Sequence, residues 1–181
     1  MSATRRCWAE INLAALRANA RVAREKAGAD ATLMAIVKAN AYGHDIAGVA
    51  SALAGIADYF GVASAAEAQE LGGFAGKQQI LILGPSLPDE RAEIVAHGFI
   101  PSISTFDEAA AFDRLAARPF PIHLIIDTGM GRIGVWQDEA VALAQKIAAL
   151  RNITIAAIAT HLPVADEDES FTRTQLARFQ K

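Results

Sequence analysis

Short unbroken apolar runs alternate along this chain with stretches whose apolar residues recur every three or four positions, the patterns of buried strands and of amphipathic helices. A helix is expected over residues 13–26, capped by Asn12, with Leu13, Leu16 and Ala20 on one face and Gly28 as its stop. The first apolar run, residues 33–37, predicts a strand over 32–37. Asp45 then caps a helix whose apolar stripe is Ile46, Val49, Leu53 and Ile56. Residues 59–63 read as the second strand, and Ser64-Ala65-Ala66-Glu67 as a capping box opening a helix that ends at Gly72-Gly73. Further strands are expected over 79–83, 100–104, 122–126 and 153–159, with helices over 88–97, 105–117 and 137–150 between them. Thr105-Phe106-Asp107-Glu108 is a second capping box, and Pro119 and Pro121 bracket the turn into the fifth strand. Residues 170–181, with Phe171, Leu176 and Phe179, predict a last helix.

Six strands, each but the last clearly followed by a helix, imply a parallel sheet with right-handed crossovers, either open or closed into a barrel. Periodicity alone does not choose between these. The position of the candidate chemistry favours the barrel. Lys38, Arg132 and His161 fall just beyond the carboxyl ends of the first, fifth and sixth strands, and a curled sheet lets those ends converge on one mouth. The expected fold class is therefore α/β, a (β/α)8 TIM-type barrel. Such barrels have eight strands and typically ~250 residues, so an incomplete barrel of about six βα units, one domain over residues 1–181, is expected.

Composition narrows the function. The chain has 181 residues, 52% hydrophobic and 20% charged, the profile of a soluble globular protein with ample core material. A net charge of -3 with 17 scattered basic residues leaves no electrostatic footprint for nucleic acid. No apolar run is long enough to cross a bilayer, and Arg5 and Arg6 are not followed by the apolar stretch of a secretory signal. A cytoplasmic protein with no membrane partner is expected. Cys7, the single cysteine, permits no internal disulfide, and no metal site is expected.

The chemistry centres on Lys38, at the carboxyl end of the first strand. Ligands bind at that end in α/β folds, and a lysine partly shielded from water there can serve as an amine nucleophile for Schiff-base formation with a carbonyl, the aldehyde of pyridoxal 5'-phosphate included. An arbitrary lysine at a strand end more often reaches to solvent. The string Lys38-Ala39-Asn40-Ala41-Tyr42-Gly43-His44 changes that balance, because it resembles the cofactor-lysine motif of alanine racemases, pyridoxal-phosphate enzymes built on a TIM-type barrel. The resemblance implies that Lys38 carries the cofactor and that Tyr42 contacts its phosphate.

Asp127-Thr128-Gly129-Met130-Gly131-Arg132-Ile133-Gly134 matches GxGxxG literally, which invites a dinucleotide-binding reading. That reading needs an acidic residue at the end of the next strand, where Thr160 and His161 stand, and it places the loop after the first strand rather than the fifth. The string resembles a second alanine racemase motif, whose arginine approaches the cofactor's phenolic oxygen and the substrate carboxylate. A planar donor fork suits that role, which falls to Arg132. Many family members carry a carbamylated lysine two residues before the motif's aspartate, where this chain has Ile125.

Ala159-Thr160-His161-Leu162 resembles the family's threonine-histidine strand end, and the resemblance sets His161 beside the cofactor ring. The following Pro163-Val164-Ala165 departs from the family's usual residues there. Leu83, ending the third strand, is a candidate to pack near the ring, although apolar core accounts for it equally well. His97 and His123 receive no function.

By resemblance, the whole enzyme racemises alanine for cell-wall precursor supply, as a homodimer, with two bases on opposite faces of the substrate carbon. One is Lys38; the other is a tyrosine from a carboxyl-terminal β-domain of the other subunit. This chain is expected to be an amino-terminal portion carrying one of the two bases, with a small amino acid as substrate. Two alternatives remain: a non-catalytic pyridoxal-phosphate-binding barrel of the cofactor-homeostasis type, and a racemase for another small amino acid such as serine.

Overall fold

The computed structural model describes residues 6–181, which fall into two compact units, 6–81 and 82–181. In the first unit α1 (Leu13–Ala27) leads into β1 (Met34–Ile36), and a single turn, α2 (Lys38–Gly43), joins β1 to α3 (Ile46–Leu53). β2 (Tyr59–Val62), α4 (Ala65–Gly72) and β3 (Gln79–Ile82) follow, the last residue of β3 belonging to the second unit. β1 and β2 pair in parallel, with Met34 opposite Tyr59, Ala35 opposite Phe60 and Ile36 opposite Gly61.

The expected caps hold. Asn12 Oδ1 accepts the N–H groups of Ala14 and Ala15, and Asp45 Oδ2 accepts that of Gly48. Phe60, Val62, Ala50, Ala68 and Leu71 form the core of this unit. Leu13, Leu16 and Ala20 lie only half-buried, on a helix that packs along α3. Arg24 fixes the approach to both strands: its guanidinium donates to the carbonyls of Ala31 and Ile56, each at 2.8 Å, and pairs with Asp58. Asp58 in turn accepts the N–H of Leu33 at 2.8 Å, and the Arg24 guanidinium holds its carboxyl below the usual carboxylate range.

In the second unit α5 (Arg91–His97), β4 (Ile100–Ile103), α6 (Phe106–Leu115) and β5 (Phe120–Asp127) are followed by β6 (Val135–Trp136) and a 3-10 turn over Gln137–Glu139. α7 (Ala140–Ala148), β7 (Ile153–Ala159) and α8 (Glu169–Phe179) complete it. β5 is the central strand, parallel to β4 with Ser102 opposite His123, and parallel to β7 from Phe120 opposite Ile153 to Ile125 opposite Ala159. Ile122, Leu124, Ile94, Ile103, Phe112 and Ile147 are fully buried, each contributing about 1.5–3 kcal/mol by leaving water. Phe112 and Phe120 stack with centroids 5.9 Å apart.

Several elements differ from expectation for identifiable reasons. The helix expected from residue 88 begins at Arg91, because residues 88–90 form a turn in which Glu90 accepts the N–H of Leu87 at 2.8 Å. β5 begins at Phe120 and so includes Pro121. The missing N–H is tolerated there because β4 pairs only from His123 onward. β6 was not expected; two residues fold back beside Ile126 and Asp127 of β5. On α8 the buried residue is Gln175, and Leu176 is 40% exposed, the reverse of the apolar face expected. The box at Thr105 is reciprocal, whereas Ser64 accepts the N–H of Glu67 and the Glu67 carboxylate turns elsewhere.

Candidate active site

The pairing of β1 with β2 extends one residue past β1, where Val37 donates to the Gly61 carbonyl at 2.8 Å, and Lys38 follows immediately. Lys38 is half-buried, and among the described residues its ammonium has no hydrogen-bond or ion-pair partner. The chain then winds left-handed. Ala39, Asn40, Ala41 and Tyr42 have φ of 52 to 56° and ψ of 36 to 51°, closed by Ala41 N–H to the Val37 carbonyl at 2.8 Å. For residues with a Cβ this winding costs roughly 1–2 kcal/mol each, so other groups must hold it.

Three side chains do so. The Nδ1 of His44 contacts the carbonyls of Ala41 at 3.0 Å and Tyr42 at 3.2 Å; carbonyls only accept, so this nitrogen carries the proton. Asn40 Oδ1 accepts the N–H of Ile46 at 2.8 Å, locking the turn to the start of α3. Glu67 Oε1 accepts the N–H of Ala39 at 2.9 Å. The turn leaves Tyr42 60% exposed, and an apolar cleft of about 350 Å³ lies behind it, lined by Leu16, Ile36, Val37, Val49 and Leu53 among others.

The glycine loop of the second unit is braced from within. Asp127 accepts three backbone N–H groups, from Gly129 at 2.8 Å, Met130 at 2.9 Å and Gly131 at 2.9 Å. Gly129, Gly131 and Gly134 all have positive φ, of 142°, 72° and 111°. A Cβ on Gly134 would stand 2.7 Å from the backbone nitrogen of Asp127, so close approach as well as conformation requires glycine there. The loop runs into β6 rather than opening a helix, which removes the structural context of a dinucleotide fingerprint. Arg132 is exposed on the loop, and Ile125, opposite Ala159, is a half-buried strand residue.

The loop's base is tied to the end of β7. Buried Thr128 meets Thr160 hydroxyl to hydroxyl at 2.7 Å, and Gln175 Nε2 donates to both Thr128 Oγ1 and the His161 carbonyl at 3.2 Å. Arg178 donates to the Thr128 carbonyl at 2.8 Å and lies 5.8 Å from the centre of the Trp136 ring. Helix α8 is thus a bracket behind two loops at once.

Of the residues singled out from sequence, the structure brings Lys38 and Tyr42 together on one turn. Arg132 and His161 stand on two loops leaving neighbouring parallel strands. Leu83 is half-buried just beyond β3, and nothing in its surroundings marks it as more than core. Glu67, Asp127, Gln175 and Arg178 were missed. Sequence signals existed for two of them: Asp127, an aspartate followed by Gly129 and Gly131 being a common backbone-binding turn, and Glu67, whose capping-box string marks a carboxylate that accepts backbone N–H groups but not its reach to Ala39.

These features define a parallel α/β protein in which Lys38, Arg132 and His161 stand just beyond the carboxyl ends of strands. Comparison with known proteins fixes the family. Residues 11–181 match the family described as "Alanine racemase, N-terminal domain", and the chain belongs to it. It is 40% identical over 178 residues to an alanine racemase of Desulforamulus reducens, covering 95% of this chain and 48% of that protein. An alanine racemase of Clostridium difficile 630 in complex with cycloserine superposes with a TM-score of 0.93 at 29% identity, over 99% of this chain and 51% of that one. A histidine racemase from Leuconostoc mesenteroides subsp. sake superposes with a TM-score of 0.83 at 26% identity, over 93% of this chain and 47% of that one. The chain spans about half the length of the relatives it matches. Its fold class is that of these structures, α/β of the TIM-barrel type, of which this chain carries part.

Proposed function

We propose that the whole protein racemises a small amino acid, with alanine as its substrate, using pyridoxal 5'-phosphate held covalently through Lys38. The observation that carries this is Lys38 itself: a half-buried, unpartnered amine directly after the buried Val37, on a strained turn that three side chains hold in place. Its chemistry fits an aldehyde cofactor, and the exposed Tyr42 on the same turn supplies a phenolic hydroxyl for a phosphate. When bound, the cofactor supplies an electron sink that makes the substrate's α-proton removable.

This chain's residues do the rest. Lys38 moves the proton at the α-carbon on one face, and Arg132 offers a planar donor fork to the substrate carboxylate and the cofactor's phenolic oxygen. By the family resemblance His161 would stand beside the cofactor ring, with Leu83 a candidate to pack against it. The Asp127 and Thr128 bonds stiffen the Arg132 loop through its backbone, in a chain with Ile125 where the family resemblance leads one to expect a lysine. Inversion needs a second proton donor on the opposite face, which the family resemblance assigns to the other subunit of a homodimer.

The test is direct. The whole protein incubated with pyridoxal 5'-phosphate and L-alanine is expected to form D-alanine, measured by chiral chromatography, and Lys38→Ala is expected to form none. Parallel incubations with L-serine and L-histidine assign the substrate, since a histidine racemase shares this fold. Cofactor binding without interconversion of any amino acid would instead support a non-catalytic barrel.

A further inference from the structure

We propose that Glu67 is a positioning residue for Lys38, fixing the peptide that follows the lysine; this rests on the reading of Lys38 as the cofactor lysine. The chain contains two S/T-x-x-E strings at helix starts, and they behave differently. At Thr105 the Glu108 carboxylate stays local: a single oxygen, Oε2, takes the N–H groups of Ser104 at 2.8 Å and Thr105 at 3.0 Å. At Ser64 the hydroxyl caps the helix in the ordinary way, accepting the N–H of Glu67 at 3.3 Å. The Glu67 carboxylate, however, divides its oxygens. Oε2 accepts the N–H of Ala63, at the end of β2, at 2.7 Å, and Oε1 accepts the N–H of Ala39 at 2.9 Å. Ala39 is 28 residues away in sequence and lies outside any cap.

The N–H of Ala39 belongs to the peptide that begins at the Lys38 carbonyl. Holding it fixes the backbone rotation about Lys38, and with it the direction in which the lysine leaves the chain. The same bond anchors the first of four left-handed residues, the point where the turn would otherwise relax. His44 and Asn40, which also hold this turn, bond only within residues 40–46. Glu67 reaches in from another helix and ties the turn to the neighbouring strand end. A carboxylate is suited to this because both oxygens accept; an amide of the same size can satisfy one N–H and presents a donor to the other.

Amide hydrogen exchange and labelling of Lys38 separate this role from simple helix capping. In Glu67→Ala and Glu67→Gln, exchange at Ala39 should accelerate roughly tenfold or more. Labelling of Lys38 by pyridoxal 5'-phosphate, trapped with borohydride and mapped by peptide mass spectrometry, should fall several-fold in the same variants. Ser64→Ala removes the cap but not the bridge, so it should loosen the amides of α4 and leave Lys38 labelling as it was. Unchanged Ala39 exchange and Lys38 labelling in both Glu67 variants would overturn the proposal, as would a loss in Ser64→Ala equal to theirs. Faster Ala39 exchange in the variants, with no labelling of Lys38 even in the unaltered protein, would contradict the cofactor reading and leave the hold of Glu67 on the turn standing.

Discussion

Gln175 and Thr128 are joined behind the glycine loop: the Gln175 Nε2 donates to Thr128 Oγ1 at 3.2 Å, and both side chains are buried. The same nitrogen reaches the His161 carbonyl, so one amide links the loop carrying Arg132 to the strand end carrying His161. Replacing Gln175 with Met keeps the shape and removes the donor. Urea unfolding is expected to show a loss of about 1–3 kcal/mol, two hydrogen bonds at roughly 0.5–1.5 kcal/mol each, Thr128 Oγ1 keeping Thr160 as a partner. Leu176→Ala, on the exposed side of the same helix, should cost clearly less.

Gly134 and Gly72 make a matched pair of opposite sign. Gly134→Ala forces a Cβ to within 2.7 Å of the Asp127 nitrogen at a φ of 111°, and should destabilise by at least about 1–3 kcal/mol. Gly72 closes α4 with open space around it, so Gly72→Ala should stabilise by about 0.4–1 kcal/mol. Thermal denaturation of the two variants checks both signs.

His123 lies buried in β5, and burial pushes its imidazole below the usual value of 6.5. Between that lowered value and 6.5 the unfolded chain binds the proton and the folded chain does not. Stability is therefore full above about pH 6.5 and falls as the pH drops through this window. Unfolding free energies between pH 7.5 and 5 should show this fall, and His123→Gln should flatten it.

Arg132 offers paired donors that a lysine cannot reproduce. In the whole protein Arg132→Lys is expected to lower turnover roughly ten- to hundredfold, the value of about 1.5–3 kcal/mol for a hydrogen bond to a charged group. Turnover at the unaltered rate would leave Arg132 as a loop residue without a role in binding substrate.

What the sequence revealed and what it hid follow one physical division. The six expected strands and the helices between them were legible because burial writes itself into local periodicity, and Asn12, Asp45 and Thr105 announce their helices by side-chain type. The winding of Ala39 to Tyr42 was hidden because none of the four is glycine, and part of what holds them comes from Glu67, far along the chain. β6 was hidden because two residues carry no period; they pair only because the glycines turn the chain back beside Asp127. Apolar periodicity misread α8, where a polar residue, Gln175, is the one that buries. KANAYGH and DTGMGRIG pointed to the family because the residues in them are adjacent, whereas Gln175 and the reach of Glu67 to Ala39 act across distance, beyond what a local string such as Ser64-Ala65-Ala66-Glu67 announces.

The most direct test of the central assignment is to mix the protein with pyridoxal 5'-phosphate, reduce with borohydride and map the modified lysine by peptide mass spectrometry. The cofactor should be found on Lys38, with the accompanying near-ultraviolet and visible absorbance abolished in Lys38→Ala. Modification of a different lysine, or an unchanged absorbance in Lys38→Ala, would contradict it.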